Sequence, residues 1–500
     1  MSSASDRLAA LTNASFEDGG HRAAFVPALH DVSTVGNEVA VKAAEADADA
    51  AAADAARILA QSYRDATLVA RDAAMAAIQG ATVAQPVVPL IGVTSKHAGL
   101  TFARGSAAVL VEPPSGAVTA ITEVASGVPR YDATYGLLLE PASQNVVTNP
   151  RNEGGTPGSP GSYPTGFGAL GSQGGMTRTL AYNSLLGMTM LSVQLAGTAS
   201  NSTPTVVEAT VRNASPAATG LQNRVASAYL RIRAGAITNV ATIRLRALAL
   251  NSGGAAVGSQ ISGANQVSLL DGSLRRVVLP YQLANDGTIA RVVIGVEITT
   301  TNGQTSDITL DIWGTQDEPD MLNPTSIMLP VVGTPGVSSS ARDTLSGALS
   351  GLGLDTSGLT ITGRCLMPNS APTGADQQIL QIDGGSDASA FGLRNPAGAT
   401  SLLGSRANSG GQNTASLGTL VPGTEFKWGI TINRLTGEAR FCINGGSVLS
   451  VTGGPVSGLT TLRFGGRVSA HTLNGYLSNA NGRPYFVNDN TGFAALVAAA

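Results

Sequence analysis

Between Asn37 and Ile78 the chain carries no Gly and no Pro, and more than a third of the residues are Ala. Ala is the best helix former, and the two strongest breakers are missing. The stretch therefore predicts one helix over 37–80, about 60 Å long at 1.5 Å per residue. Asn37 is placed to cap it, with Glu38 in the first turn, and Gly80 followed by Pro86 is placed to end it. Propensity alone does not hold such a helix in water; it needs a partner. Ala55, Leu59, Ser62, Ala66, Val69, Ala73 and Ala76 recur at spacings of four and three, as a coiled-coil seam does. Charges such as Asp47, Asp54, Arg57, Arg64 and Asp72 fall largely off that seam. Ala55, Leu59, Ala66, Val69 and Ala73 are thus the expected self-association residues of a stalk. The alternative is a helix packed on its own chain or on a neighbouring subunit.

Past residue 80 the chain changes character. Gly supplies 61 residues of the whole and charged residues 13%, about half of the roughly 25% usual in soluble domains. Hydrophobic residues still reach 43%, enough apolar surface to bury. They come in short runs divided by Gly, Ser, Thr and Asn, the pattern of strands and turns. Thr189–Leu195, Val225–Arg233, Ala241–Leu250, Arg275–Tyr281, Ala290–Ile298 and Ile308–Trp313 predict an antiparallel sandwich over 150–333. Leu359–Leu366, Gln378–Ile382, Ala390–Arg394, Phe426–Ile432, Glu438–Ile443, Ser447–Val451 and Thr461–Phe464 predict a second over 334–500, with a short helix at Phe493–Ala500. In Val225–Arg233 the residues Ala226, Ala228, Leu230 and Ile232 share a face against Ser227, Tyr229, Arg231 and Arg233. From Ala247 to Leu250 both faces are apolar, which requires burial on both sides or a bulge. Residues 81–149 read as a small β collar or linker, and 1–36 as an irregular attachment segment. The fold class is mainly β: a long N-terminal helical stalk followed by two antiparallel jelly-roll sandwiches. No 20–50-residue repeat supports a solenoid.

A net charge of −3 and the lack of a Lys/Arg stripe argue against nucleic acid as a partner. No apolar run of about 18 residues predicts membrane insertion. The N-terminus lacks the charged and apolar regions of a secretory signal, so assembly in the cytoplasm is expected. Cys365 and Cys442 are expected as reduced core residues, with a disulfide between them left open. Gly-x-Ser-x-Gly is absent, and His21, His30, His97 and His471 are scattered. No catalytic residue and no cofactor is expected. Asp383 with Asp387, and Asp317 with Glu318 and Asp320, read as solvated turns; Asp383 and Asp387 are weak candidates for a calcium site. Aromatic rings are the usual platforms for sugars. Tyr476 and Tyr485 are the better candidates, with Trp313 and Tyr163 beside them, whereas Trp428 lies in an alternating strand and reads as core.

Four groups of residues between Leu100 and Pro150 carry a resemblance. They are Phe102-Ala103-Arg104-Gly105-Ser106, Val128-Pro129-Arg130-Tyr131, Gly136-Leu137-Leu138-Leu139-Glu140, and Asn145-Val146-Val147-Thr148-Asn149-Pro150. In order and spacing the block resembles one that recurs in phage tail- and head-fibre proteins. Asn149-Pro150 with Gly154-Gly155, Ala226–Arg231 and Trp313–Gln316 resemble the carbohydrate-binding-module-like sandwich found next to that block. Phe426-Lys427-Trp428, Phe441–Gly446, Leu462–Gly466 and Leu473–Tyr476 resemble a concanavalin A-like, laminin-G-type jelly roll. The resemblance implies a virion fibre or spike subunit of a phage or gene-transfer particle. It implies other virion proteins as partners of the N-terminus, bacterial surface polysaccharide as the receptor, and a homotrimer. No catalytic motif of the family is matched. A receptor-less decoration or scaffold protein and a capsule-depolymerising spike are the alternatives. The stalk reading is tested by sedimentation of the full chain and of residues 1–100; both are expected to run as oligomers, and a monomer in both overturns it.

Overall fold

The structure, a computed structural model, describes residues 21–500 except 81–86, 114–115, 172, 211, 213–215, 322, 372–374, 409–410, 457 and 469–472; in the long helix it describes the side chains of 27–67. The chain divides into two compact units, 1–85 and 86–500.

In the first unit, helix α1 runs from His21 to Gly80, about 90 Å at 1.5 Å per residue. It begins well before the expected cap, so Asn37 is a mid-helix residue and the segment from 21 to 36 is not irregular. Pro27 forfeits one amide donor, and Gly36 costs about 1 kcal/mol relative to Ala; neither stops a helix continued on both sides. Leu29, Val32, Val39, Val41, Ile58, Leu59 and Tyr63 are all more than half exposed. Ala55, Leu59 and Ala66 are likewise exposed, so these three residues of the expected seam are uncovered. The side chains of Val69 and Ala73 lie outside the described residues, as do residues 1–20.

The second unit is built from two antiparallel sandwiches, nested and not sequential. The middle one pairs a sheet of Arg275–Gln282, Asn223–Gly235, Thr305–Pro319, Met188–Thr198 and Met176–Leu185 with a sheet of Ile261–Ser262, Val240–Leu250, Arg291–Thr300, Thr205–Glu208 and Gly168–Leu170, each in that order. Ala226, Ala228, Leu230 and Ile232 face its core, as their period predicts. The apolar end at 247–250 is buried on both faces: Ala247 and Ala249 join the core, while Leu248 and Leu250 cluster with Val293 outside it. The register there is continuous.

The other sandwich has an eight-stranded sheet, ordered Leu449–Val451, Glu438–Ile443, Glu425–Asn433, Gly358–Leu366, Gly475–Arg483, Gly136–Leu139, Arg130–Asp132, with Val88–Ile91 also on Gly475–Arg483. Its seven-stranded partner is ordered Thr101–Ala103, Thr344–Ala348, Thr461–Phe464, Gln377–Asp383, Ala390–Asn395, Ser401–Asn408, Gly411–Thr419. Trp428 is fully buried between them, as expected of a core residue. Residues 81–149 therefore do not form a separate collar. The strands at 88–91, 101–103, 130–132 and 136–139 belong to this sandwich, because its sheets offer edges that they complete. The middle sandwich is inserted into it, and Ser143–Asn145 pairs with Ser338–Ser340 where the chain leaves and returns. Helix α2 (Asn490–Ala499), capped by Asp489, lays Phe493 and Val497 on Cys442. Cys365 points into the inter-sheet core and Cys442 to the opposite face. Both thiols are free, and side chains on opposite faces of a sheet cannot bridge.

One hairpin, Ala108–Glu112 with Ala120–Val124, lies between the sandwiches. Its side chains alternate. Val109 and Val111 pack on Tyr229, Trp313 and Ile327 of the middle part, and Leu110 packs on Leu138, Leu366 and Tyr476 of the other. Beside it lies a buried quartet of charges. Arg130 reaches Glu140 at 2.7 Å and Asp343 at 2.7 Å, and Arg104 lies 3.7 Å from Asp343. Asp343 also accepts from the Glu140 amide at 3.0 Å, and Glu140 accepts from the Ser326 amide at 2.7 Å. Removing one partner of such a set strands a charge out of water. Arg130→Ala is expected to cost about 3–5 kcal/mol of unfolding free energy, measured by urea titration; a loss under about 1 kcal/mol would mean that the quartet does not hold the sandwiches.

Candidate functional site

The insertion of one sandwich into the other, with the hairpin wedged between, leaves a cleft of about 250 Å³. The middle sandwich contributes Tyr229, Arg276 and Val278 from two adjacent strands, and the hairpin contributes Val111 and Val118. The other sandwich contributes Leu138, Glu140, Asn369, Asn474 and Tyr476; Pro324 and Ser326 come from the segment that links the two.

Two aromatic pairs set its walls. Tyr476 lies 5.9 Å from Tyr135 at 54°, and Tyr229 lies 5.4 Å from Trp313 at 50°; these tilted arrangements suit the ring quadrupoles. Burial pushes the hydroxyls of Tyr229 and Tyr476 above the usual phenol range, and the Glu140 carboxylate adds to the shift at both. Both stay protonated and able to donate. The Asn474 Nδ2 donates to the Pro324 carbonyl at 3.4 Å, which leaves its Oδ1 for an acceptor role. Glu140 is the one carboxylate on the lining among the described residues.

Of the expected sugar-facing residues, Tyr476 lines this cleft. The others do not. Trp313 is fully buried beneath Tyr229 and the hairpin, because the outer face of its strand is covered and not solvated. Tyr163 is covered by the Arg178 guanidinium, 4.8 Å from the ring centroid. Tyr485 packs in the cluster of Cys442, Phe493 and Val497 under α2.

Asp320 is exposed in a turn and Asp387 lies half-buried in one, as expected, but Asp317, Glu318 and Asp383 are buried strand residues. Asp317 is bound by Arg224 at 2.7 Å and by the Tyr281 hydroxyl at 2.9 Å, and Glu318 accepts from the Thr325 hydroxyl at 2.6 Å. Both are fully buried in a strand that runs to Pro319. Asp383 is held by Arg463 at 2.8 Å, and Asp387 accepts from Gln381 at 2.7 Å and Val468 at 3.2 Å. Protein donors thus occupy the two weak calcium candidates, and no metal-ligating cluster is found among the described residues.

Tyr229 and Arg276 were not singled out from the sequence. The signal for Tyr229 was its place on the polar face of an alternating strand; Arg276 gave none. The cleft joins residues from strands far apart in the chain, so spacing does not reveal it.

No protein-family model and no curated protein matches the sequence. Similar solved structures include the CBM40 module of a Ruminococcus gnavus sialidase bound to α2,3-sialyllactose, at 13% identity over 28% of this chain and 83% of that one, TM-score 0.24. The tandem CBM22 domains of Paenibacillus barcinonensis Xyn10C match at 11% identity over 69% and 98%, TM-score 0.22. Domains LG4–5 of the mouse laminin α1 chain match at 13% over 54% and 86%, TM-score 0.21. These neighbours are carbohydrate-binding modules and laminin G domains, but at such TM-scores the likeness carries no argument about function. The strand pairing itself defines the class: a mainly β protein of two sandwiches with a long N-terminal helix.

Two buried carboxyls near the junction are pushed upward. Burial raises Glu318 to about 7 against its hydrogen bonds from Thr325, and raises Asp343 to about 6 against the pull of Arg130. The folded chain therefore holds protons that the unfolded chain releases at its ordinary carboxyl values of 4.5 and 3.8. Their contribution to stability is full at low pH and declines as pH rises through 4 to 7, by at most about 1.4 kcal/mol per pH unit for each group. Glu318→Gln is expected to flatten this decline between pH 5 and 7 in urea titrations. An unchanged slope in that variant would show that Glu318 titrates normally.

Proposed function

We propose that this chain is a non-catalytic attachment subunit, a fibre or spike of a phage-like particle, that binds bacterial surface polysaccharide in the cleft between its sandwiches. The cleft carries the reading. Tyr229 and Tyr476 offer protonated hydroxyls there, and apolar residues lie beside Asn369 and Asn474. Amphipathic rings with a few fixed hydrogen-bonding groups suit a sugar, which has apolar faces and polar edges. The virion role is supported by the resemblance of residues 100–150 to phage fibre proteins. Self-association through α1 is supported by the uncovered apolar residues on it, and several copies of a shallow site would bind a repeating polymer by avidity.

Binding is favoured over hydrolysis by the state of Glu140. Glycoside hydrolysis uses two carboxyl groups flanking the bond, whereas Glu140 is tied to Arg130 at 2.7 Å and has no second carboxylate on the lining among the described residues.

On an array of bacterial polysaccharides the full chain is expected to bind at least one class without releasing reducing ends. Tyr476→Phe combined with Asn369→Ala is expected to weaken that binding roughly tenfold, since each lost hydrogen bond is worth about 0.5–1.5 kcal/mol. A folded wild-type chain that binds no polysaccharide would favour a scaffold role. Antibody labelling of purified particles is expected to find the chain on their surface.

A further inference from the structure

Arg276 is the part of the cleft that the binding of a neutral sugar leaves unexplained. Its Nη2 donates to the Ser227 hydroxyl at 3.0 Å and to the Thr325 carbonyl at 2.6 Å, both neutral acceptors. Its Nε is enclosed with no acceptor, and no hydrogen bond from Nη1 is found among the described residues. No carboxylate stands within ion-pair distance of it among those residues either. Two arginines of the same sheet differ: Arg224 pairs with Asp317 at 2.7 Å and Arg231 with Asp311 at 2.8 Å, whereas Arg233 meets the neutral Ser192 hydroxyl at 3.2 Å. The guanidinium lies 5.6 Å from the centroid of the Tyr229 ring, which fixes it at the wall of the cleft.

The surrounding charges do not cancel it. Glu140 belongs to the quartet with Arg130, Asp343 and Arg104, two positive and two negative groups. Glu318 is buried and bonded to Thr325, and Arg276 acts on its carboxyl electrostatically, but no ion pair joins the two. The cleft thus presents one partly desolvated positive charge that no ion pair neutralises among the described residues. A guanidinium with free N–H groups binds a carboxylate through charge-assisted hydrogen bonds, stronger than neutral ones. A single positive charge matches a monoanionic carboxylate better than a phosphate monoester, which carries close to two negative charges.

We infer that the cleft selects an acidic sugar, placing the carboxylate of a uronic-acid-type residue on Arg276 and its hydroxyls on Tyr476 and Asn474. This rests on the cleft being the attachment site.

The test uses the full chain on an array of neutral and acidic bacterial polysaccharides, each acidic one also in its carboxyl-reduced form. Binding is expected to acidic members, to be lost on carboxyl reduction, and to weaken as salt rises. Arg276→Gln is expected to lower affinity at least about tenfold, and Arg276→Lys to lower it less, because it keeps the charge and loses the directed Nη1 hydrogens. Thermal unfolding checks that each variant is folded; where Arg276→Gln is not, the carboxyl-reduction and salt arms decide on wild-type protein. Equal binding to carboxyl-reduced or neutral polymers, binding confined to phosphorylated or sulfated ones, or unchanged affinity in folded Arg276→Gln overturns the acidic-sugar assignment and leaves polysaccharide attachment standing. Binding to no polymer at all overturns the attachment reading and this assignment with it.

Discussion

Two guanidiniums and two carboxylates share one buried junction, and the arrangement of the body depends on them. Arg104 and Arg130 precede the inserted sandwich in the chain, whereas Asp343 follows it. Their pairing closes the insertion at its neck. Desolvating such charges is costly, and the cost is offset when each has partners of opposite sign and further hydrogen bonds. The amide of Glu140 and the amide of Ser326 supply some of these bonds. Asn145 adds an uncharged tie at the same neck: its Nδ2 donates to the Thr315 carbonyl, and its Oδ1 accepts from the amides of Val147 and Asp317. Arg104, Arg130 and Asn145 are therefore interior joints, and Glu140 is at once a joint and part of the cleft wall.

The hairpin at 108–124 explains why this junction encloses space. Successive strand residues point to opposite faces. Val109 and Val111 thus serve one sandwich while Leu110 serves the other. A two-sided wedge holds two convex bodies together without filling the gap beside it. The gap becomes a cleft whose walls come from independently rigid sheets, a geometry suited to holding polar groups in fixed positions. In this way the same contacts that stabilise the insertion position Tyr229, Arg276 and Tyr476.

Helix α1 poses the opposite situation. Its apolar residues are spread among alanines and charges and remain exposed in the single chain. The surface ion pairs Lys42–Glu45 and Arg57–Asp54 contribute little, as exposed pairs do. A helix of this length with so small a burial is not held by propensity alone.

Local pattern was enough to locate many of the longer strands. Glu438–Ile443 and Thr461–Phe464 stand where their apolar alternation places them, since period-two burial is a property of consecutive residues. Gly411–Thr419 escaped notice, being an exposed polar edge strand whose pairing with Ser401–Asn408 is its main support. Asp317 and Glu318 were misread for a related reason: carboxylates beside a Pro look solvated until distant Arg224 and Thr325 are brought to them. The sequence by itself determined the mainly β class, the long helix and the inward faces of the strands, because these follow from near-neighbour periodicity. Tertiary structure alone decided that one sandwich is threaded into the other, that the motif arginines are buried, and that Tyr229, Arg276 and Tyr476 share a cleft. Those facts depend on which edges and charges meet across hundreds of residues, and no local period encodes such a meeting.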